Sequence, residues 1–180
     1  MGGERKISSN VLYKGRIVNL KVDNVVLPSG KKALREVVEH APAVAVLATD
    51  PDGRILLVKQ ERYAVAETLL EIPAGITEPG ETVRETAARE LREETGYEPL
   101  DLEEVLRFYT SPGFSTEMIV LFSARRLKYA PLEQDYDEDI AVERIDPESL
   151  RDYLGSGMIR DAKTIAALCW YLHHEHGGNE

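Results

Sequence analysis

The segment Gly75–Tyr97, with the sequence GITEPGETVRETAARELREETGY, carries the most restrictive pattern in this chain of 180 residues. It predicts a helix over residues 82–95, with Gly80 just before it and Gly96 just after it as boundary residues. A helix on the surface of a globular protein buries one apolar stripe and keeps its charged residues on the opposite, wet side. The glutamates of this helix are therefore expected to face water.

Two of the glutamates break that expectation. At about 100° per residue, Glu90 and Glu94 lie roughly 40° apart on the helix surface. Val83 and Ala87 fall in the same sector, and Leu91 lies next to it. A carboxylate at the edge of the buried stripe costs free energy unless something satisfies its charge. The placement therefore favours a bound cation over a solvated face.

Further charged residues surround this pair. Arg89 can reach Glu85 and Glu93, at i−4 and i+4, which orients the side chains. Carboxylates as close as those of Glu90, Glu93 and Glu94 repel one another unless cations compensate. Hard oxygen ligands at this density suit Mg²⁺ or Mn²⁺, and these ions typically serve phosphate chemistry. The alternative is an ordinary charged helix laced with ion pairs.

The composition narrows the possible partners. A net charge of −10 argues against a nucleic-acid duplex or an anionic membrane, since both favour basic faces. Bound divalent cations would let an acidic patch attract an anionic phosphate ester instead. No window approaches 18 apolar residues and the first residues lack the apolar core of a signal peptide, so neither a membrane span nor a signal peptide is expected. The single cysteine, Cys169, suits a reducing cytoplasm and is expected to be buried.

Strands lie on both sides of the helix in the sequence. They are predicted at residues 11–27, 33–39, 43–48, 55–59, 68–72, 105–109, 117–124 and 140–144. A turn at 28–31 makes residues 1–42 a β-hairpin extension, and residues 43–180 form the main domain. A short helix is predicted to open with Asp146 as its N-cap, and a final helix near Asp161. This order predicts the α/β class, with a mixed sheet covered by helices on both faces.

The spacing of the helix segment matches a known pattern. Its fixed positions are Gly75, Glu81, Arg89-Glu90-Leu91, Glu93-Glu94, Gly96 and the bulky Tyr97. This pattern resembles the complete Nudix box. The resemblance implies an enzyme that hydrolyses a nucleoside diphosphate linked to another moiety. It also implies that residues 43–180 are a Nudix hydrolase domain, an α/β/α sandwich with a central mixed sheet.

The resemblance assigns roles to the box residues. Glu90 and Glu94 match the main metal-ligating glutamates, Glu93 contributes to the same cluster, and the Ala74 carbonyl is a further ligand. Arg89 orients this group. Glu81 braces the junction between the loop and the helix. The ion implied is Mg²⁺, with Mn²⁺ as the alternative.

Other stretches resemble the ADP-ribose pyrophosphatase subfamily. Pro112, in Ser111-Pro112-Gly113, lies sixteen residues beyond Gly96, as in that subfamily, although a plain Pro-Gly turn is the alternative. The resemblance extends over almost the whole chain, from about Tyr13 to His174. The further matching stretches are 35–40, 59–63, 71–75 and 161–164.

The subfamily implies roles for four substrate-binding residues. Those matching Arg35 and Glu36 contact the adenine end, often across a dimer interface, and cross-strand ion pairing is the alternative for Arg35. The residue matching Arg62 meets the pyrophosphate, to which a planar guanidinium is well suited. The one matching Glu117 meets the terminal ribose.

An acidic loop at residues 133–139 precedes the strand that begins at Ile140. Such a loop is commonly just solvated. Its Glu138 matches, by its position before Asp-Ile-x-Val, the loop glutamate that such enzymes use as a general base. A base on a mobile loop completes the site only when substrate and metal are bound. Glu93 is the rival candidate for the base.

These patterns together predict a Mg²⁺-dependent hydrolase that converts ADP-ribose to AMP and ribose 5-phosphate in nucleotide-sugar metabolism. One alternative is a Nudix hydrolase of another nucleotide sugar or of a dinucleoside polyphosphate. Another is a module that senses ADP-ribose without cleaving it. The partner is then a small molecule, with neither nucleic acid nor membrane expected. A cytoplasmic homodimer is also predicted, because the N-terminal hairpin has too few apolar partners of its own.

Overall fold

The computed structural model describes residues 3–132 and 140–176. These residues divide into two compact units. One lies within Met1–Pro42 and Phe108–Met118, and the other within Ala43–Arg107 and Ile119–Glu180. We refer to them as the N-terminal unit and the main unit.

The N-terminal unit is built on three antiparallel strands in the order β1-β2-β3, namely β1 (Arg5–Lys14), β2 (Val18–Val26) and β3 (Lys32–His40). The prediction of a two-stranded hairpin with one strand over 11–27 is therefore wrong. The chain reverses at Gly15, whose amide donates to the Val18 carbonyl at 3.0 Å. A Cβ at this position would lie 2.6 Å from the Tyr13 ring and 3.0 Å from the Val18 carbonyl oxygen, so any larger residue would require the exposed Tyr13 side chain to move.

The remaining strands are β4 (Ala43–Thr49), β5 (Ile55–Arg62), β6 (Glu67–Glu71), β7 (Ala74–Ile76), β8 (Tyr97–Pro99), β9 (Glu103–Tyr109), β10 (Met118–Ala124), β11 (Leu127–Tyr129) and β12 (Ile140–Ile145). Seven of them form one sheet in the order β12-β5-β4-β10-β9, with β6 paired to β5 and β7 paired to β4. Strand β10 runs parallel to β4, whereas β5 and β7 run antiparallel to it. The predicted central mixed sheet is thus confirmed. β8 and β11 form a separate pair.

The helices of the described ranges are α1 (Val83–Thr95), α2 (Leu150–Gly155) and α3 (Ala162–His176). A 3-10 turn at Pro147–Ser149 precedes α2, and its N-cap Asp146 makes no side-chain capping hydrogen bond. Asp161 does receive such bonds at the start of α3, from the amide and the hydroxyl of Thr164. None of these helices is long and apolar enough to cross a lipid bilayer.

The core of the main unit lies between its sheet and its helices. Six of the seven residues of β4 are buried, and α1 contributes Ala87 and Leu91 at zero exposure. Cys169, expected in the core, is exposed instead. The buried face of α3 runs through Thr164, Ala167 and Leu168, and a 3.6-residue period carries position 169 away from it.

Candidate active site

Helix α1 is held at both ends by local interactions that its sequence specifies. The Thr82 hydroxyl accepts from the Glu85 amide at 3.3 Å, and the Glu85 carboxylate accepts from the Thr82 amide at 2.8 Å. This reciprocal pair is a capping box. At the other end Gly96 adopts φ 79° and donates to the Arg92 carbonyl. Both ends of the helix are therefore fixed by hydrogen bonds to neighbouring residues.

Arg89 occupies the centre of the carboxylate cluster. Its Nε and Nη2 donate to Glu81 at 2.9 and 3.1 Å, and its Nη1 lies 2.9 Å from Glu90 and 2.7 Å from Glu93. Among the described hydrogen bonds and ion pairs none joins Arg89 to Glu85, whose carboxylate instead accepts from the Thr82 amide and caps the helix. One guanidinium thus gathers three box glutamates and compensates their mutual repulsion.

The charges of this cluster shift one another's titration. The hydrogen bonds from Arg89 lower the pKa of Glu81 to about 2, and those from Thr86 and the Glu78 amide act in the same direction. The pKa of Arg89 is raised in turn, with the Glu81 hydrogen bonds as the largest cause. Glu81 is therefore ionised throughout the physiological range. The ion pair between Glu81 and Arg89 also connects the 76–81 loop to the helix.

Strand β7 provides the opposite wall of the cluster. Its Ala74 amide donates to Glu94 at 3.2 Å, and Glu94 is only 2% exposed. A Cβ built on Gly75 would lie 2.0 Å from the Glu90 carboxyl carbon. Real Cβ atoms do not approach other atoms so closely, so only glycine leaves room for this carboxylate. The pairing of β7 with β4 fixes the backbone that forms this wall.

The donor set suits a hard divalent cation. Three carboxylates from one helix, those of Glu90, Glu93 and Glu94, lie beside a backbone strand whose Ala74 carbonyl is a further hard oxygen. Within residues 3–132 and 140–176 no three carboxylate, histidine or cysteine side chains are already gathered as a metal site. Arg89 contacts two of the three glutamates and takes the position of a compensating charge. The oxygen donors present therefore fit a hard divalent metal ion by their chemistry.

Arg62, the predicted pyrophosphate ligand, lies at the end of β5 in the main unit. Its Nε and Nη2 both donate to the buried Glu71 at 2.8 Å. Lys163 on α3 also donates to Glu71. Sequence reasoning gave no role to Glu71 or Lys163. The sequence did contain a signal for such a pair. Glu71 lies among the apolar residues Leu69, Leu70 and Ile72, where a buried charge needs a partner of opposite charge.

The other predicted substrate residues belong to the N-terminal unit. Arg35 on β3 pairs with Glu4 through Nε at 2.9 Å, so the ion-pair alternative is realised within the chain, although not between directly opposed residues. Glu36 lies exposed on the same strand, opposite Val22 in β2.

Pro112 lies within a turn of the same unit, and Glu117 follows that turn. Pro112 is exposed, and the amides of Phe114 and Ser115 both donate to the Ser111 carbonyl. Glu117 accepts from the Thr110 hydroxyl at 2.6 Å. It also lies 3.8 Å from His40 Nε2, a neighbour that sequence reasoning missed. Glu138, the predicted loop base, lies outside the described residues.

Comparison with known proteins identifies the family. Residues 39–168 match the model of the NUDIX domain, and residues 4–38 match that of the nucleoside diphosphate sugar hydrolase N-terminal domain. The first match covers well over half of the chain, so this protein belongs to the Nudix family. The chain is therefore a Nudix hydrolase, and enzymes of this family generally need a divalent metal.

Individual relatives add detail. The chain is 41% identical over 167 residues to the ADP-ribose pyrophosphatase of Bacillus subtilis (strain 168), covering 92% of this chain and 90% of that protein. It is 42% identical over 168 residues to the methanol dehydrogenase activator of Bacillus methanolicus, with the same coverage. Among solved structures, an ADP compounds hydrolase aligns with a TM-score of 0.89 over 99% of this chain and 97% of that one. At 20% identity this last likeness shows the fold alone.

Proposed function

We propose that the protein hydrolyses the pyrophosphate bond of ADP-ribose and related ADP-sugars, with Mg²⁺ as cofactor, giving AMP and ribose 5-phosphate. The observation that carries this proposal is the complete carboxylate cluster of α1 set against the side-chain-free backbone at Gly75. The relative from Bacillus subtilis named as an ADP-ribose pyrophosphatase supports the choice of substrate.

Glu90, Glu93, Glu94 and the Ala74 carbonyl would hold the metal. When bound, Mg²⁺ supplies positive charge that offsets the charge of the diphosphate and polarises a water molecule. The site residues keep that charge in place. Glu94 is fixed by the Ala74 amide, and Arg89 holds Glu90 and Glu93 on one side of the helix. Manganese would bind the same oxygen donors.

Proton transfer requires a base near the attacked phosphorus. Glu138 has this role by resemblance, and Glu93 is the rival that the structure describes, at 18% side-chain exposure on α1. A carboxylate of that exposure can accept a proton from water without a large rearrangement of the helix. Arg62 would hold the diphosphate oxygens with its planar guanidinium.

The N-terminal unit would supply substrate selection. Arg35 and Glu36 would meet the adenine end, and Glu117 the terminal ribose, with Pro112 shaping the loop beside it. The unit would also form the contact of a homodimer. All ten residues of β1 are exposed, which leaves a long strand edge available to a second copy. A cytoplasmic location completes the proposal.

A substrate panel tests the reaction. The purified protein is incubated with Mg²⁺ and ADP-ribose, ADP-glucose, a UDP-sugar or a diadenosine polyphosphate, and the products are separated by chromatography. We expect AMP and ribose 5-phosphate from ADP-ribose, with no turnover in EDTA. An ADP-ribose that binds unchanged would establish a sensing module instead. Calorimetry that detects no uptake of Mg²⁺ or Mn²⁺, with or without nucleotide, would overturn the metal assignment.

A second candidate has a specific observation behind it. The relative named as a methanol dehydrogenase activator is as similar to this chain as the pyrophosphatase is. The same box could therefore act on another nucleoside diphosphate derivative. A kcat/KM for a different panel member at least tenfold above that for ADP-ribose would favour this candidate.

A further inference from the structure

Glu71 is a charged residue in a position where an apolar one is expected. It ends strand β6, and the residue is 1% exposed. Its carboxylate accepts from Arg62 Nε and Nη2 at 2.8 Å each, and from Lys163 Nζ. Burial raises the pKa of Glu71, but the hydrogen bonds and charges of Arg62 and Lys163 outweigh it and leave the pKa below its usual value. The carboxylate is therefore ionised and doubly paired.

A second layer of contacts holds Lys163. Its ammonium also lies 3.1 Å from Asp161 Oδ1, and Asp161 Oδ2 accepts from the Thr164 hydroxyl at 2.6 Å. The same hydroxyl oxygen accepts from the Ile72 amide at 2.9 Å. The first turn of α3 is thereby joined twice to the end of β6, through side chains at Glu71 and through the backbone at Ile72.

Stability is a weak reason for such a network. Two carboxylates and two cations balance in charge, yet taking them out of water carries a penalty that their attraction only partly offsets. Apolar side chains of similar volume would commonly stabilise the fold as well or better. What the ionic arrangement adds is direction, because a two-point contact with a carboxylate fixes the plane of a guanidinium.

The fixed plane leaves one end of Arg62 available. Nε and Nη2 are used by Glu71, whereas Nη1 has no hydrogen-bond partner within the described residues. The Arg62 side chain is 38% exposed, in contrast to 2% for Glu71. The guanidinium therefore has one edge on a buried carboxylate, while more than a third of the Arg62 side chain remains accessible to solvent. An anion such as a diphosphate can approach that open part without breaking the pair.

We propose that Glu71 is a positioning residue, which orients Arg62 toward the substrate diphosphate while Lys163 and Asp161 hold Glu71 in place. This inference rests on the proposed function, in which Arg62 binds the diphosphate. It adds a new element, since the first turn of α3 becomes part of the support of the binding site. Glu71 acts only through Arg62 and does not touch the substrate.

A double-mutant cycle on the full-length protein tests the inference. Glu71→Gln keeps the size of the side chain and removes its charge. In the native background we expect kcat/KM for ADP-ribose to fall by about tenfold to a hundredfold, mostly through KM. In the Arg62→Ala background the same change should cost less than about twofold, because the residue through which it acts is gone.

The chain offers a matched control for this cycle. Glu143 on β12 also pairs with a cation of β5, Lys59, but this pair is about half exposed. Glu143→Gln should leave kcat/KM within about twofold of the native value. Where Glu71→Gln fails to fold by circular dichroism, Lys163→Met replaces it in both backgrounds, with a smaller expected loss that again vanishes without Arg62.

The outcomes are distinct. Suppose that the protein hydrolyses ADP-ribose and that the losses of kcat/KM in the two single variants multiply in the double variant. This result would overturn the positioning role and leave the proposed function standing. A native protein that turns over none of the nucleoside diphosphate compounds would overturn the proposed function, and the inference with it. A loss at Glu71 that depends on Arg62 supports both.

Discussion

The two units of the molecule differ sharply in how they bury their strands. In the main unit six of the seven residues of β4 are buried, whereas in the N-terminal unit all ten residues of β1 are exposed. The exposed residues of β1 include large apolar ones between 49 and 60% exposure: Ile7, Val11, Leu12 and Tyr13. The main unit completes its own core. The N-terminal sheet leaves apolar surface that a second copy could cover.

The charged groups follow the same division. The carboxylates of Glu71 and Glu94 in the main unit are nearly inaccessible to solvent, whereas the Arg35–Glu4 pair of the N-terminal unit is about 40% exposed at each partner. Exposed pairs contribute little and rearrange easily, whereas buried ones are fixed by their surroundings. We therefore expect the chemistry to depend on rigid residues of the main unit, and the substrate preference on adaptable residues of the N-terminal unit.

The largest effect is expected at Glu94, the buried carboxylate that we propose as a metal ligand. Glu94→Gln should lower kcat by about three orders of magnitude, because the amide removes the negative charge on which metal binding depends. The variant should still fold, since Gln keeps an oxygen that can accept from the Ala74 amide. AMP release by chromatography and a circular dichroism spectrum measure the two properties. Turnover close to the native rate would contradict the assignment of Glu94.

Gly75→Ala should come next. The new Cβ would lie 2.0 Å from the Glu90 carboxyl carbon, so this flexible side chain must move while the backbone stays in place. We expect kcat to fall by about a hundredfold with a loss of stability of only about 1 kcal/mol. Gly155→Ala is the control, because a Cβ there meets nothing within 4 Å. Equal activity of the two variants would show that Glu90 does not need its present position.

A substitution on β1 addresses the N-terminal unit. Val11→Lys should weaken self-association by about tenfold or more, because a charge would replace a half-exposed apolar residue that the proposed second copy would cover. Ser9→Lys on the same strand adds the same charge without removing apolar surface. Sedimentation velocity over a range of micromolar concentrations compares both with the native protein. A native protein that sediments as a monomer would refute the homodimer.

The smallest effect concerns pH. The pKa of Glu81 is held at about 2, below its usual 4.5, so its ion pair with Arg89 stabilises the fold fully above pH 4.5 and loses this contribution as the pH falls toward 2. Between pH 6 and pH 3 we expect the free energy of unfolding of the native protein to fall by about 1 kcal/mol more than that of Glu81→Gln, allowing for partial solvent exposure. Urea denaturation in EDTA measures the difference, with exposed Glu148→Gln as the control. Parallel losses in native protein and Glu81→Gln would rule out this contribution.

The sequence predicted those elements best whose ends carry local signals. Helix α1 was expected over 82–95 and begins one residue later. The agreement is close because Thr82 and Gly96 cap the helix through the backbone directly beside them. The three-residue strands β7, β8 and β11 were missed, since three residues are too few for a periodic pattern. The reversal at Gly15 was missed for a different reason. A single glycine, here between Lys14 and Arg16, is a weak turn signal in a sequence without the structure around it.

The site was predictable where one segment contains it. The relative positions of the glutamates on α1 follow from helical spacing. Their position beside β7 required only that the loop between β7 and α1 bring the helix back to the sheet. The partners of Arg62 were not predictable in this way. Glu71 is near in sequence, but Lys163 is 92 residues beyond Glu71, and only the packing of α3 brings them together. Charge and burial can signal that a partner exists, but not which residue it is.

Cys169 offers a practical consequence of the packing of α3. It is the only cysteine of the chain, and its side chain is accessible on the helix surface. A maleimide fluorophore or spin label can therefore be attached at a single defined position without engineering the protein. The same helix carries Lys163 in its first turn, so such a label would report on the element that supports Arg62 when nucleotide is added.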